Sequence, residues 1–235
     1  MQESVMLGAF PGVRIPTMHA PLPVAPKRRK PTQSRARATA QAIEQAFVQL
    51  LVEKGYAQVS IRQVLALAGV GAGSFYEYFA SKEALAAVSI RQRVRAIADA
   101  LQQSAQAAAG LPLPERVDAL LDAQLQAPLA EPEQWAALFH LERQISKPQA
   151  FRELYREFVA TWERGLGAGA DWPAGATLED AAFAAHAIAY SLVSQTLMAR
   201  SERPDAAALR ALVRQAVHGY LSVVAPRAYR GCLVF

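Results

Sequence analysis

Apolar residues recur along this chain at spacings of three and four, and no stretch alternates as a half-buried strand would. The spacing predicts a helix over 34–54, where Ile43, Ala46, Phe47, Leu50 and Leu51 form one stripe and Gly55 ends it. A short helix is expected over 61–68, with Ile61, Val64, Leu65 and Ala68 on one face and Ser60 ahead of them as N-cap. Gly69 then stands where a left-handed backbone is cheap only for glycine, and Val70 can tuck beneath the corner. Helical spacing resumes over 72–79, with Phe75 and Phe79 four apart and Ala72, Gly73, Ser74, Tyr76, Glu77 and Tyr78 around the other faces. Ser81 caps a fourth helix that runs to Ala108, where Gly110, Leu111 and Pro112 break it. Apolar, Ala-rich segments then cover 115–127, 132–145, 149–165, 178–200 and 205–224, with a Gly- and Pro-containing loop over 167–175.

Two helices joined by a short glycine-bearing turn are the mark of a helix-turn-helix, whose second helix enters the DNA major groove. The residues Gly55, Tyr56, Val59, Ser60, Arg62, Val64, Ala68, Gly69, Val70, Gly73, Phe75, Tyr76, Tyr78, Phe79, Ser81, Lys82, Glu83 and Leu85 narrow this further. In type and order they resemble the DNA-binding domain of the TetR/AcrR family of transcriptional regulators. The resemblance implies an all-α fold: an N-terminal three-helix helix-turn-helix domain followed by a six-helix ligand-binding and dimerisation domain. The expected divisions are a Pro-rich basic arm over 1–33, the DNA-binding domain over 34–81, the effector and dimerisation domain over 82–225, and a tail over 226–235. Outside 40–85 the resemblance is one of plan only. Two positions depart from the family pattern: Gly71 stands where Ser or Thr commonly caps the recognition helix, and Leu65 where a small Ala is usual.

On the second helix, base-edge contacts fall to Ala72, Gly73 and Ser74, then Tyr76 and Glu77. With no Arg there, thymine methyl contacts and close backbone approach are expected to outweigh bidentate guanine pairing. Tyr76 and Tyr78 suit phosphates better than bases. Ser60, Arg62, Gly71 and Lys82 complete the candidate surface. In related regulators the lysine matching Lys82 touches a phosphate; the alternative is an ordinary exposed lysine. Arg62 either adds a phosphate contact or pairs with a nearby acid.

Charge strengthens this assignment. Residues 1–85 hold ten Lys/Arg against five Asp/Glu, while the remainder holds fifteen of each, so the net +5 belongs to the N-terminal third. Lys27, Arg28, Arg29 and Lys30 end a segment rich in proline and without helical periodicity. That arm either lies along phosphates or a minor groove, or is a solvated tail.

Cys232 is the single cysteine, which excludes an intramolecular disulfide and a cysteine-based metal site. No apolar run reaches the length of a membrane span, and the basic residues follow the apolar ones at the N-terminus, the reverse of a secretory signal. A cytoplasmic protein is expected. His140, His186 and His218 show no metal-ligand spacing, and Gly69, Gly71 and Gly73 lack the strand and Lys-Ser/Thr of a phosphate loop. Neither metal nor cofactor is expected.

For a small-molecule effector the candidate pocket residues are Trp135, Phe139, His140, Phe151, Tyr155, Phe158, Trp162, Phe183, His186 and Tyr190, a mostly apolar set with a few polar groups; plain core packing is the competing reading. The last two segments are apolar nearly all round. In the family this pair forms a four-helix bundle with its two-fold mate, so a homodimer through the last two helices is expected; burial within one subunit is the alternative. The function expected is that of a ligand-responsive regulator, most simply a repressor on a palindromic operator. Two alternatives stand beside it: an architectural DNA-binding protein without an effector, and a helical cytoplasmic enzyme, for which no convergent catalytic set is visible.

Overall fold

The computed structural model describes residues 31–199 and 204–230, and among them every regular element is helical. Helix α1 spans Pro31–Lys54, so the last three residues assigned to the arm already belong to it. Proline suits a first helical position, because its missing N–H would have no partner there. The stripe Ile43, Ala46, Phe47, Leu50 and Leu51 is buried as the spacing required. A single tight turn over Tyr56–Gln58, entered through Gly55 at φ 74°, leads to α2 (Ile61–Ala68) and α3 (Ala72–Tyr78). Val59, Val64, Phe75 and Phe79 close a small core against Phe47, whose ring meets Tyr56 edge-on at 6.4 Å.

Helix α4 (Lys82–Ala107) leaves that core and enters a second one built with α5 (Leu113–Ala130), α6 (Pro132–Ile145), α7 (Pro148–Gly167), α8 (Leu178–Ala199) and α9 (Ala206–Val224). Helix α5 runs further than the segment 115–127 in both directions. Pro114 sits in its first turn, where proline is harmless. Pro128 lies inside it near the C-terminal end, where it removes the donor for the Gln124 carbonyl but buries its ring. The segment expected to end at Ala127 therefore runs about one turn further, to Ala130. The true break is at Glu131, after which Pro132 opens α6.

Arg116 is buried and holds the α7–α8 connection. It donates from Nε to the Gly165 carbonyl at 3.0 Å, and from Nη2 to the Leu166 carbonyl at 2.8 Å and to Asp171 at 2.7 Å; Nη1 reaches the Leu111 carbonyl. Asp171 also accepts the Leu113 N–H at 2.6 Å. Burial pulls the Asp171 carboxyl upward, but the Arg116 and Leu113 hydrogen bonds together with the Arg116 charge outweigh it and hold the group below its ordinary value. The loop over 167–175 is thus anchored from inside.

The tail expected over 226–235 is not free where it is described. Residues 225–230 turn back, Tyr229 is buried, and its hydroxyl lies 3.0 Å from His218 Nδ1 on α9. Cys232 lies outside the described residues. No described helix is long and apolar enough to cross a membrane.

Candidate DNA interface and effector cavity

Local chemistry builds the helix-turn-helix. The Ser60 hydroxyl accepts the Gln63 N–H at 3.3 Å while Gln63 Oε1 accepts the Ser60 N–H at 3.0 Å, a reciprocal capping box at the start of α2. The same hydroxyl donates to Gln63 Oε1 at 2.9 Å. Ser60 thus works first as a cap. At the other end Gly69 is left-handed, φ 66° and ψ 32°, and the Val70 N–H turns back to the Leu65 carbonyl at 3.1 Å. Val70 packs, half-buried, against the core as the sequence suggested. Gly71 caps α3 with no side-chain bond.

Phe75 and Phe79 anchor α3 with ring centroids 5.7 Å apart. Its outward surface is Gly73, Tyr76 and Glu77, with Ser74 and Tyr78 half-buried beside them. Ala72 opens the helix. Tyr76 is 67% exposed, its ring edge-on to Phe75 at 5.3 Å between centroids. A methyl group added at Gly71 or Gly73 would meet no protein atom within 4 Å, so neither glycine is demanded by the protein's own packing. That leaves room for another molecule's backbone. Arg62 is exposed on α2.

Lys82 departs from the simplest expectation. Its ammonium donates to the Tyr56 carbonyl at 3.2 Å and the Val59 carbonyl at 3.1 Å, and lies 4.3 Å from the centroid of the Tyr56 ring. Two of three N–H donors are therefore used inside the protein, leaving one for any phosphate. The arm residues Lys27, Arg28, Arg29 and Lys30 lie outside the described residues.

In the second domain a cavity of about 60 Å³ lies between α4, α5, α6, α7 and α8. Seven of the ten candidate aromatic and histidine residues line it: Trp135, Phe139, Phe151, Tyr155, Phe158, His186 and Tyr190. Three do not. His140 points to solvent, on the opposite face of α6. Phe183 is 53% exposed and touches the outside of Tyr155 at 5.7 Å between ring centroids. Trp162 is fully buried and stands behind the wall, its indole N–H donated to Gln124 Oε1 at 2.7 Å.

The indole N–H can only donate, which fixes the Gln124 atom it meets as oxygen. His186 Nδ1 faces the same oxygen at 3.3 Å and so carries the ring proton, leaving Nε2 as a lone-pair acceptor. Burial pushes the His186 pKa down to about 4, so the ring is neutral at pH 7. It stacks on Phe158 at 5.1 Å.

The sequence reading missed Gln124, Glu142 and the aliphatic wall of Val94, Ile97, Leu125, Leu154 and Val193. Glu142 was within reach: it follows Trp135 and Phe139 at spacings of seven and three, so it shares their face of α6. Its carboxyl accepts the Tyr190 hydroxyl at 3.1 Å. Burial raises the Glu142 pKa against the Tyr190 bond and the Arg143 charge, and burial with the Glu142 charge raises that of Tyr190.

The two domains touch. Helix α6 packs on α1, and Glu44 of α1 pairs with Arg93 of α4 at 2.7 Å. Burial raises the Glu44 pKa despite that partner.

Comparison with known proteins agrees with this architecture. Residues 43–88 match the family described as bacterial regulatory proteins, tetR family. Among solved structures, the fatty acid degradation regulator FadR from Bacillus halodurans superposes with a TM-score of 0.63 at 20% identity, over 76% of this chain and 97% of that one. FadR from Bacillus subtilis in complex with stearoyl-CoA gives 0.60 at 17%, over 75% and 96%. The reduced form of NemR from E. coli gives 0.59 at 19%, over 77% and 96%. No curated protein matches the sequence.

Proposed function

Given that the chain belongs to the TetR family of bacterial regulatory proteins by its DNA-binding domain, we propose that it is a ligand-responsive repressor. It binds a palindromic operator as a homodimer and is released when a small molecule enters the cavity. One observation carries the coupling: α6 both lines the cavity, through Trp135, Phe139 and Glu142, and packs on α1 of the DNA-binding domain. A ligand that moves α6 therefore moves the platform beneath α3. The cavity is small, holding roughly four to six waters at about 10–15 Å³ each. An effector larger than that must part the helices, and the differential affinity for the parted state is what shifts the population.

The homodimer reading is supported by α9, where Leu212, Ala216, Tyr220 and Val223 follow one another at spacings of four, four and three. Val223 is 81% exposed and Leu212 is exposed as well. An apolar row of this kind on a regular helix suits a self-complementary two-fold contact. On the DNA side, α3 offers Gly73, Ser74, Tyr76 and Glu77 to the groove, with Tyr76 and Arg62 reaching phosphates.

The test is a mobility shift with the DNA upstream of the gene, competed with random DNA at fixed salt. A discrete complex that survives competition, and that dissolves on adding a cavity ligand, supports the proposal. Equal competition by random DNA instead favours an architectural protein held by its basic N-terminal third.

A further inference from the structure

The cavity carries more chemistry than an apolar hole requires. Its lining includes one acidic side chain, Glu142, and, among the described residues, no Lys or Arg. The remaining polar groups there, Gln124, Tyr155, His186 and Tyr190, are neutral at pH 7. Around Glu142 the rings are close: Phe139, Phe151 and Tyr155 lie 5.8, 6.4 and 6.2 Å from Tyr190 between centroids, and Tyr190 donates to the carboxyl itself.

A carboxyl held in such surroundings lowers its electrostatic cost by taking a proton or by meeting a cation. Burial raises its pKa against the Tyr190 hydrogen bond and the Arg143 charge. Aromatic faces favour the second, because their quadrupoles present negative potential to a cation. Basic residues stand outside. Arg91, Arg95 and Lys147 line an open groove on the far side of Glu142, where Glu153 and Glu157 balance them and Arg95 pairs with Glu157. Arg143 and Arg152 flank a second groove, and Arg143 is turned to the Phe139 carbonyl and Met198.

We propose that the effector is a small organic cation with an apolar body, an aryl or alkyl ammonium whose charged end meets the Glu142 carboxylate between Phe139, Phe151, Tyr155 and Tyr190. This deepens the effector reading given above and rests on it. The apolar body lies against Val94, Ile97 and Leu125 on the inner wall. Carboxylate ligands are disfavoured there by like charge.

The test titrates the full-length protein by the combined fluorescence of its three tryptophans, of which Trp135 lines the cavity, with benzyltrimethylammonium, its neutral isostere neopentylbenzene, and phenylacetate. The cation is expected to bind at least tenfold more tightly than the isostere. Glu142→Gln keeps the shape, removes a buried charge and is checked for an unchanged melting profile; it should bring the cation down to the affinity of the isostere and leave the isostere unaffected. Cation affinity of the natural protein should also rise with pH as Glu142 gives up its proton, and the variant should show no such rise. Isostere or phenylacetate binding as tightly as the cation, or an undiminished cation affinity in Glu142→Gln, overturns the ligand class and leaves the cavity as the site. Silence from all three ligands overturns the cavity reading as well.

Discussion

Replacing Lys82 by Met separates an internal clamp from a phosphate contact. The ammonium holds the carbonyls of Tyr56 and Val59 at 3.2 and 3.1 Å and sits over the Tyr56 ring. Two hydrogen bonds from a charged donor are worth roughly 1.5–3 kcal/mol each and the ring contact about 0.5–1. The site is half-buried, so water recovers part of this once the lysine is gone, and the unbranched Met keeps the packing of the stem. A net loss of about 2 kcal/mol is expected, or about 4–8 °C in melting temperature for a chain of this size. The second readout is the slope of log affinity for operator against log salt. Each phosphate contact contributes roughly 0.9 to that slope, so a dimer losing one per subunit would change by about 1.8. The clamp predicts a lowered melting temperature with a slope changed by well under that amount. A slope flattened by about 1.8 with unaltered melting would refute the reasoning and return Lys82 to the phosphate.

Other substitutions probe the remaining assignments. Tyr76→Ala should weaken operator binding at least tenfold in a mobility shift while leaving melting and dimerisation unchanged, since the side chain is 67% exposed; loss of the dimer would contradict the placement on the DNA face. Arg116→Met removes the buried guanidinium that serves Gly165, Leu166, Leu111 and Asp171 and should cost about 3–5 kcal/mol in denaturant unfolding, because the acceptors are left without a donor. For His186, the folded pKa of about 4 lies below an unfolded value near 6.5, so between those values the unfolded chain binds more protons. Its contribution is complete above the unfolded value and is lost as pH falls from about 6.5 toward 4, by up to about 3 kcal/mol; His186→Gln should flatten that part of the stability profile. Val223→Glu with Leu212→Glu should convert a dimer to monomer in sedimentation if α9 forms the two-fold contact, with melting of the monomer fold retained.

Local chemistry wrote most of the N-terminal domain into the sequence. Ser60, Gly69, Ser81 and the pair Phe75 and Phe79 act on neighbours within about one helical turn, so their roles follow from spacing alone. The same holds for the stripe on α1 and for the helical character of every later segment. Proline marks were harder to read, because the same residue is harmless in the first turn, as at Pro114 and Pro132, and costly within, as at Pro128. Only the burial of its ring against the cavity shows why Pro128 is kept inside α5.

The cavity depended on contacts that span the chain. Periodicity marks aromatic residues on the middle helices but not which wall of each helix meets the others, so His140, Phe183 and Trp162 stand among the candidates beside the residues that line the cavity. Gln124 and Glu142 became part of the site only when α5, α6, α7 and α8 brought them to Trp162, His186 and Tyr190 across 38, 62 and 48 residues of sequence. Lys82 makes the same point over a shorter span: the sequence placed it correctly at the start of α4, and tertiary structure turned its ammonium inward to two carbonyls 26 and 23 residues away. The sequence by itself determined the helices and their caps, because those are set by residues close together along the chain. Burial, the direction each charged group faces, and the cavity were decided by packing between distant segments, where desolvation and the partner on the opposite wall outweigh any local preference.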